Sequence, residues 1–142
     1  MAETWRHQVR VYLPEPLAEL ARAAPDAPAL RPLMDLLARH DARPVSQLDA
    51  FEAYCAEAER RGDQADPLYR WTQATLADPA KRRVHLCAFA LRVAGQEVYP
   101  QAAADELEAA LRPLVGGGVV ERLSRHDTNP ATNMPVPAEY RG

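Results

Sequence analysis

Residues 79–99 read PAKRRVHLCAFALRVAGQEVY, and the period assigned to this stretch decides the fold. Asp78-Pro79 at its front is a helix start, because the aspartate accepts from the free N–H groups of a first turn and proline has none to lose there. Gly95 suits the left-handed position just past a helix end. Between these marks the chain is apolar nearly all round, which fits a buried helix from Pro79 to Ala94. The same residues carry a second signal. Cys87, Phe89, Leu91 and Val93 alternate, and Ala94-Gly95 ahead of Gln96-Glu97-Val98-Tyr99 has the form of a hairpin turn. The two ends favour the helix, and the strand stays open as the alternative.

Outward from this stretch the apolar spacing is helical. Leu17, Leu20, Ala21 and Ala24 make one stripe; Leu30, Leu33, Met34 and Leu37 make another, closed by the cations Arg39 and His40. Leu48, Phe51, Cys55 and Ala58 share a third face that ends at Gly62, with Ser46 and Asp49 forming an approximate capping box. Asp66-Pro67 opens a short helix to Ala77, and a last one runs from Pro100 to Val115. Val9, Val11 and Leu13 alternate within a stretch that suits a short strand, as does Val119 to Leu123. The expected fold is therefore mainly α: a compact bundle of five to six short helices with a C-terminal extended arm. If the ambiguous stretches are strands, it becomes α+β with two to four short strands. Residues 1–124 are expected to form the single helical domain and residues 125–142 the arm. Helices this short need their leucine and alanine stripes packed together, with Phe51, Trp71 and Phe89 filling the centre.

Composition narrows the class. With 142 residues the chain is the size of one domain, and 47% hydrophobic with 26% charged residues excludes wholesale disorder. A net charge of −3 gives no general pull toward nucleic acid or an anionic membrane. No stretch approaches a membrane span, and Met1 to Val11 carries Glu3, Arg6, His7 and Arg10 rather than an apolar leader, so a cytoplasmic protein is expected. The 13 prolines and the near absence of lysine, Lys81 being the only one, fit a GC-rich, bacterial-type coding bias. Arginine chosen for carboxylate or phosphate recognition is the second explanation. Cys55 and Cys87 sit apart among apolar neighbours, as buried free thiols do.

Little of the chain has the form of a catalytic site. In Arg125-His126-Asp127-Thr128-Asn129 a histidine near neutral pKa stands beside a carboxylate, with Arg125 able to hold an anion. Adjacent residues are not a triad, however, and Asp-x-Asn before a proline is ordinary turn chemistry. His7, His40, His85 and His126 lack metal-ligand spacing, and Gly116 to Gly118 lacks the lysine and hydroxyl of a phosphate loop, so no metal and no cofactor are expected. Lys81, Arg82, Arg83 and Arg92 form a candidate basic patch, opposed by Asp49, Glu52, Glu57, Glu59, Asp63 and Asp66. These are either solvated faces or complementary patches that meet in a dimer or a partner.

One pattern has a family likeness. Leu111 and Leu114, then Gly118, then Val119, Val120, Glu121 and Arg122 form a leucine-ended helix running through a glycine turn into a strand. This resembles the end of a winged-helix module, which implies a DNA-binding transcriptional regulator. The helix itself holds Asp105, Glu106 and Glu108 against Arg112, whereas phosphate contacts need cations.

The residues favour a non-catalytic protein-binding accessory, adaptor or assembly factor. Its expected contacts are Met134, Val136 and Tyr140 on the arm, with Arg125 and His126 at the arm's base. Aromatic anchors dominate binding hot spots, which singles out Tyr140. The partner is another protein or a second copy, a homodimer through the arm; nucleic acid and membrane are not expected. The winged-helix regulator is the first alternative, and a small enzyme using His126 and Asp127 the second.

Overall fold

The decisive stretch is neither one helix nor one hairpin. In the computed structural model, which describes residues 5–129, Pro79–Cys87 is helical and Ala88–Val93 is a strand, with no loop between them. Asp78 accepts from the N–H groups of Ala80 (3.0 Å) and Lys81 (3.3 Å), so the expected helix start holds. At the far end Ala94 and Gly95 both take positive φ, 51° and 78°, while Val93 and Gln96 exchange backbone hydrogen bonds of 3.0 and 2.8 Å. That is the two-residue turn that matches strand twist, and it closes a strand rather than a helix.

The elements run β1 (His7–Tyr12), α1 (Glu15–Ala23), α2 (Arg31–Arg39), β2 (Ala42–Ser46), α3 (Gln47–Arg61), α4 (Pro67–Ala77), α5 (Pro79–Cys87), β3 (Ala88–Val93), α6 (Gln101–Leu111) and β4 (Arg122–Asp127). Short 3-10 turns at Pro28–Leu30 and Arg112–Leu114 lead into α2 and out of α6. The expectation of a mainly α bundle is thus corrected to α+β. The four strands form one antiparallel sheet in the order β2-β3-β1-β4. That is the order of a split βαβ arrangement, with α3, α4 and α5 inserted where β2 and β3 would otherwise meet in a hairpin. β2 carries no strand signal: it has five residues and includes Arg43 and Pro44. Proline is tolerated there because β2 is an edge strand.

Pairing registers define the two faces of the sheet. Val11 lies opposite Phe89 and Leu123, and Pro44 opposite Leu91, so one face carries Val9, Val11, Leu13, Phe89 and Leu91. All five are buried in the main core, joined by Ala18 and Ala21 of α1, Leu33, Leu36 and Leu37 of α2, and Ala104, Leu107 and Leu111 of α6. Leu48 and Leu86 bring α3 and α5 to its edge. Phe89 is buried as expected, whereas Phe51 and Trp71 are half-buried among α3 to α5.

The largest fully buried side chain is Tyr99. Its backbone exchanges hydrogen bonds with His7 (2.7 and 2.9 Å), which seats it beside β1. Its phenol accepts from the Val9 N–H (2.8 Å) and donates to the Leu91 carbonyl (2.8 Å). Direct pairing between β1 and β3 is confined to Arg10–Tyr12 with Ala88–Ala90, so the phenol supplies the next link between the central strands. Burial raises the Tyr99 pKa, against the pull of the Val9 N–H and the more distant Arg125 charge. The Tyr99→Phe variant keeps the volume but strands one donor and one acceptor in the core. It is expected to lose about 1–3 kcal/mol of stability in urea unfolding at unchanged fold. A loss below about 0.5 kcal/mol would show that the bridge contributes little.

Candidate functional site

The other face of the sheet is polar. Register places Gln8, Arg10 and Tyr12 of β1 beside Arg122, Ser124 and His126 of β4, and beside Ala88, Ala90 and Arg92 of β3; Arg43 and Val45 of β2 follow. None of these strand residues is a carboxylate. The face is partly covered. Gln47 of α3 and His85 of α5 reach in at one end. At the other, the chain after the β3 turn crosses over Gln8, whose amide donates to the Glu97 carbonyl (2.9 Å). Arg43, Arg92 and Arg122 stay exposed, and Arg10, Tyr12, Ser124 and His126 are half-buried.

Arg10 is the centre of this face. Its Nε donates to Gln8 Oε1 (2.8 Å) and its Nη1 to His126 Nε2 (3.1 Å). Gln47, with its amide oriented to satisfy both neighbours, donates to His85 Nδ1 (2.9 Å) and accepts from Arg10 Nη1 (2.6 Å) and Nε (3.1 Å). The phenol of Tyr12 adds a further contact to the guanidinium. Every one of these acceptors is neutral, and among the described residues Arg10 forms no ion pair. A buried charge is normally paired or solvated, so a guanidinium held only by amides, an imidazole and a phenol leaves its charge available to an anion.

The ligand shell fixes the histidines. Each presents a ring lone pair, His126 Nε2 to Arg10 and His85 Nδ1 to Gln47, so both are neutral in this arrangement. Burial first, and the Arg10 charge second, hold both imidazoles below their ordinary pKa, while Asp127 pulls His126 part of the way back. Burial also lowers Arg10, against the pull of Tyr12 and Glu97. On the rim, Arg122 stacks on the Tyr12 ring at 3.7 Å and Ser124 Oγ donates to Tyr12 Oη (3.3 Å). Arg43 lies directly opposite Arg92 with no anion between them among the described residues. Like charges in that position repel.

The residues singled out by sequence fall in different places. Arg125 and His126 belong to β4, where they face opposite sides of the sheet. Arg125 lies on the core side and pairs with Asp105 (2.5 Å) and Glu108 (3.5 Å) of α6. His126 and Asp127 also face opposite sides, so they do not form an acid–base pair. Met134, Val136 and Tyr140 lie outside the described residues. In α5, Arg82 pairs with Glu52 (3.7 Å) of the acidic face and Arg83 with Glu15 (3.4 Å) of α1, so two cations of the candidate patch are engaged within the chain; Arg92 sits instead at the far end of β3, on the polar face. Gly116 to Gly118 lead into β4, which pairs with β1 rather than with a wing hairpin. Among the described residues no three His, Cys, Asp or Glu side chains gather as a metal site, and no helix is long and apolar enough to cross a membrane.

Beside the polar face, Phe51, Leu68, Trp71, Thr72, Thr75 and His85 line an apolar hollow of about 280 Å³. The hydroxyls of Thr72 and Thr75 donate back to the Leu68 and Trp71 carbonyls of their own helix.

The chain matches no family model, no curated protein and no solved structure. The geometry of the polar face is thus the basis for function.

The residues missed by sequence are Arg10, Gln8, Tyr12, Gln47, Arg43 and Arg122. Their signal was present in part, since Gln8, Arg10 and Tyr12 are the polar half of the alternation whose apolar half is Val9, Val11 and Leu13. Because both imidazoles are held low, the folded state binds fewer protons than the unfolded chain just below the ordinary imidazole pKa. Stability is therefore expected to fall as pH drops below about 6.5 and to level once both rings are charged. In Arg10→Gln the NMR titration midpoints of His85 and His126 should both rise, since the nearest positive charge is gone. Unchanged midpoints would remove Arg10 as the controlling charge.

Proposed function

We propose that this chain is a non-catalytic binding domain, an accessory or adaptor, that docks an acidic segment of a partner protein on the polar face of its sheet. The observation that carries it is Arg10, a half-buried guanidinium whose acceptors among the described residues are all neutral. Arg43, Arg92 and Arg122 extend the same charge to the rim. Charge of one sign on a shallow surface steers and orients a partner of the opposite sign more than it adds raw affinity. Carboxylates suit arginine because its planar fork meets both oxygens. The face offers little to bases, because its one strand aromatic, Tyr12, already stacks with Arg122. His126 and Asp127 on opposite faces offer no nucleophile–base pair, which supports binding over catalysis.

The test is fluorescence anisotropy with a labelled hexaglutamate peptide, alongside oligothymidylate. The peptide should bind, more weakly as salt rises. Arg10→Gln should cost about tenfold in affinity, of the size expected for a charge-assisted contact, and Arg92→Gln about threefold. Arg60→Gln, which breaks an exposed pair with Glu57 on α3, should change nothing. Tighter binding of oligothymidylate than of the peptide would replace the protein partner with single-stranded nucleic acid. Binding insensitive to Arg10→Gln would overturn the site.

A further inference from the structure

We propose that Arg10 and His126 together form a two-donor site for one oxyanion, a carboxylate of the acidic partner, and that filling it places a proton on His126. This rests on the docking face described above and names its central contact. In the free protein the His126 Nε2 lone pair accepts from Arg10 Nη1 at 3.1 Å, so the imidazole stands where an anion's oxygen would stand. The residues directly across from Arg10 are Ala90 on β3 and Ser124 on β4, both small, so the side chains that crowd the guanidinium are the amides of Gln8 and Gln47, the Tyr12 phenol and the imidazole itself. An oxyanion entering there takes the Arg10 N–H groups. The imidazole, released from that bond, takes a proton from solvent and its new Nε2–H donates to the same oxyanion. One anion then lies between two cations; the Nε2–H is the one covalent bond formed, and the anion replaces the neutral acceptors on the Arg10 N–H groups it takes.

The charged surroundings of His126 support this direction. From β1 it faces Arg10 and the neutral Gln8; along β4, Arg122 shares its face and Asp127 adjoins it on the other. Asp105 and Glu108 of α6 lie on the core side and are engaged by Arg125. Glu97 acts on Arg10 from the segment after β3. The cations on its own face thus outnumber the carboxylates, and burial together with Arg10 holds the free imidazole low. An anion on Arg10 reverses the sign of the field at the ring. Affinity should therefore rise as pH falls through the imidazole pKa of the complex, and stop rising below that of the free protein.

The experiment follows the His126 ring by NMR across pH, with sodium sulfate as one probe and hexaglutamate as the other. Saturating sulfate should raise the His126 midpoint by about one pH unit or more in the wild type and leave it unmoved in Arg10→Gln. Hexaglutamate should bind about tenfold more tightly near pH 5.5 than near pH 7.5, and this gain should vanish in His126→Asn, whose fold is checked by its melting temperature. If sulfate shifts His126 but the peptide does not bind, the oxyanion site stands and the acidic protein partner falls. If the peptide binds through Arg10 and neither probe moves the His126 midpoint, the docking face stands and the proton-linked site is overturned.

Discussion

The Tyr99 phenol stands between Val9 and Leu91, taking a hydrogen bond from one central strand and giving one to the other. Beyond that point β1 no longer pairs with β3 but with Tyr99 itself, through His7. A bare divergence of two strands in a core would leave backbone groups unpaired, at a cost comparable to a lost hydrogen bond for each. The phenol removes that cost and at the same time buries a large ring among Val9, Leu91 and the α6 leucines. It also fixes the path of residues 96–98, and so the lid of backbone that crosses Gln8 and bounds the polar face. The core and the arginine face thus share one anchor.

The two sides of the sheet deal with charge in opposite ways. On the core side Arg125 is matched by two carboxylates of α6, and Arg22 of α1 joins Asp49, Glu52 and Arg82 of the helical insertion in a chain of pairs. Such exposed pairs are individually weak, yet they occupy the cations that a reading of sequence alone would place in a free patch. On the other side the arginines have no matching carboxylates on the strands. Because Arg10 is half-buried there, its charge interacts more strongly with an incoming anion than it would on an open helix surface.

Much of the helical framework was legible. Asp66 and Asp78 cap their helices and Gly62 ends α3 in the left-handed region, whereas Ala94-Gly95 follows the alternative reading and closes a strand instead of the favoured helix. Three features were not legible, each for a physical reason. α5 passes into β3 with no loop, so neither proline nor glycine marks the change, and a residue set apolar on all sides satisfies both periods. β2 has no alternation strong enough to register, since it is a short edge strand with a proline. Ser46 precedes α3 as expected but caps nothing; its hydroxyl donates to the Leu86 carbonyl (3.4 Å) instead. The site was hidden for a further reason: its residues come from six separate elements, with pairing register bringing Arg10 beside His126 and the helices α3 and α5 bringing Gln47 and His85 to them. Local motifs such as Arg125 to Asn129 are split by the strand's own alternation onto opposite faces.

The loopless passage from α5 to β3 also bears on how this chain can change in length. One residue added or lost near Cys87 would turn the helix by about 100° or flip every side chain of the strand to the other face. The Leu13 N–H, which takes the Cys87 carbonyl at 3.0 Å, would lose its partner in the same step. A change in length is better borne in the exposed turns after Gly62 and around Gly116 than at the α5–β3 junction, where both the helix face and the strand face depend on the residue count.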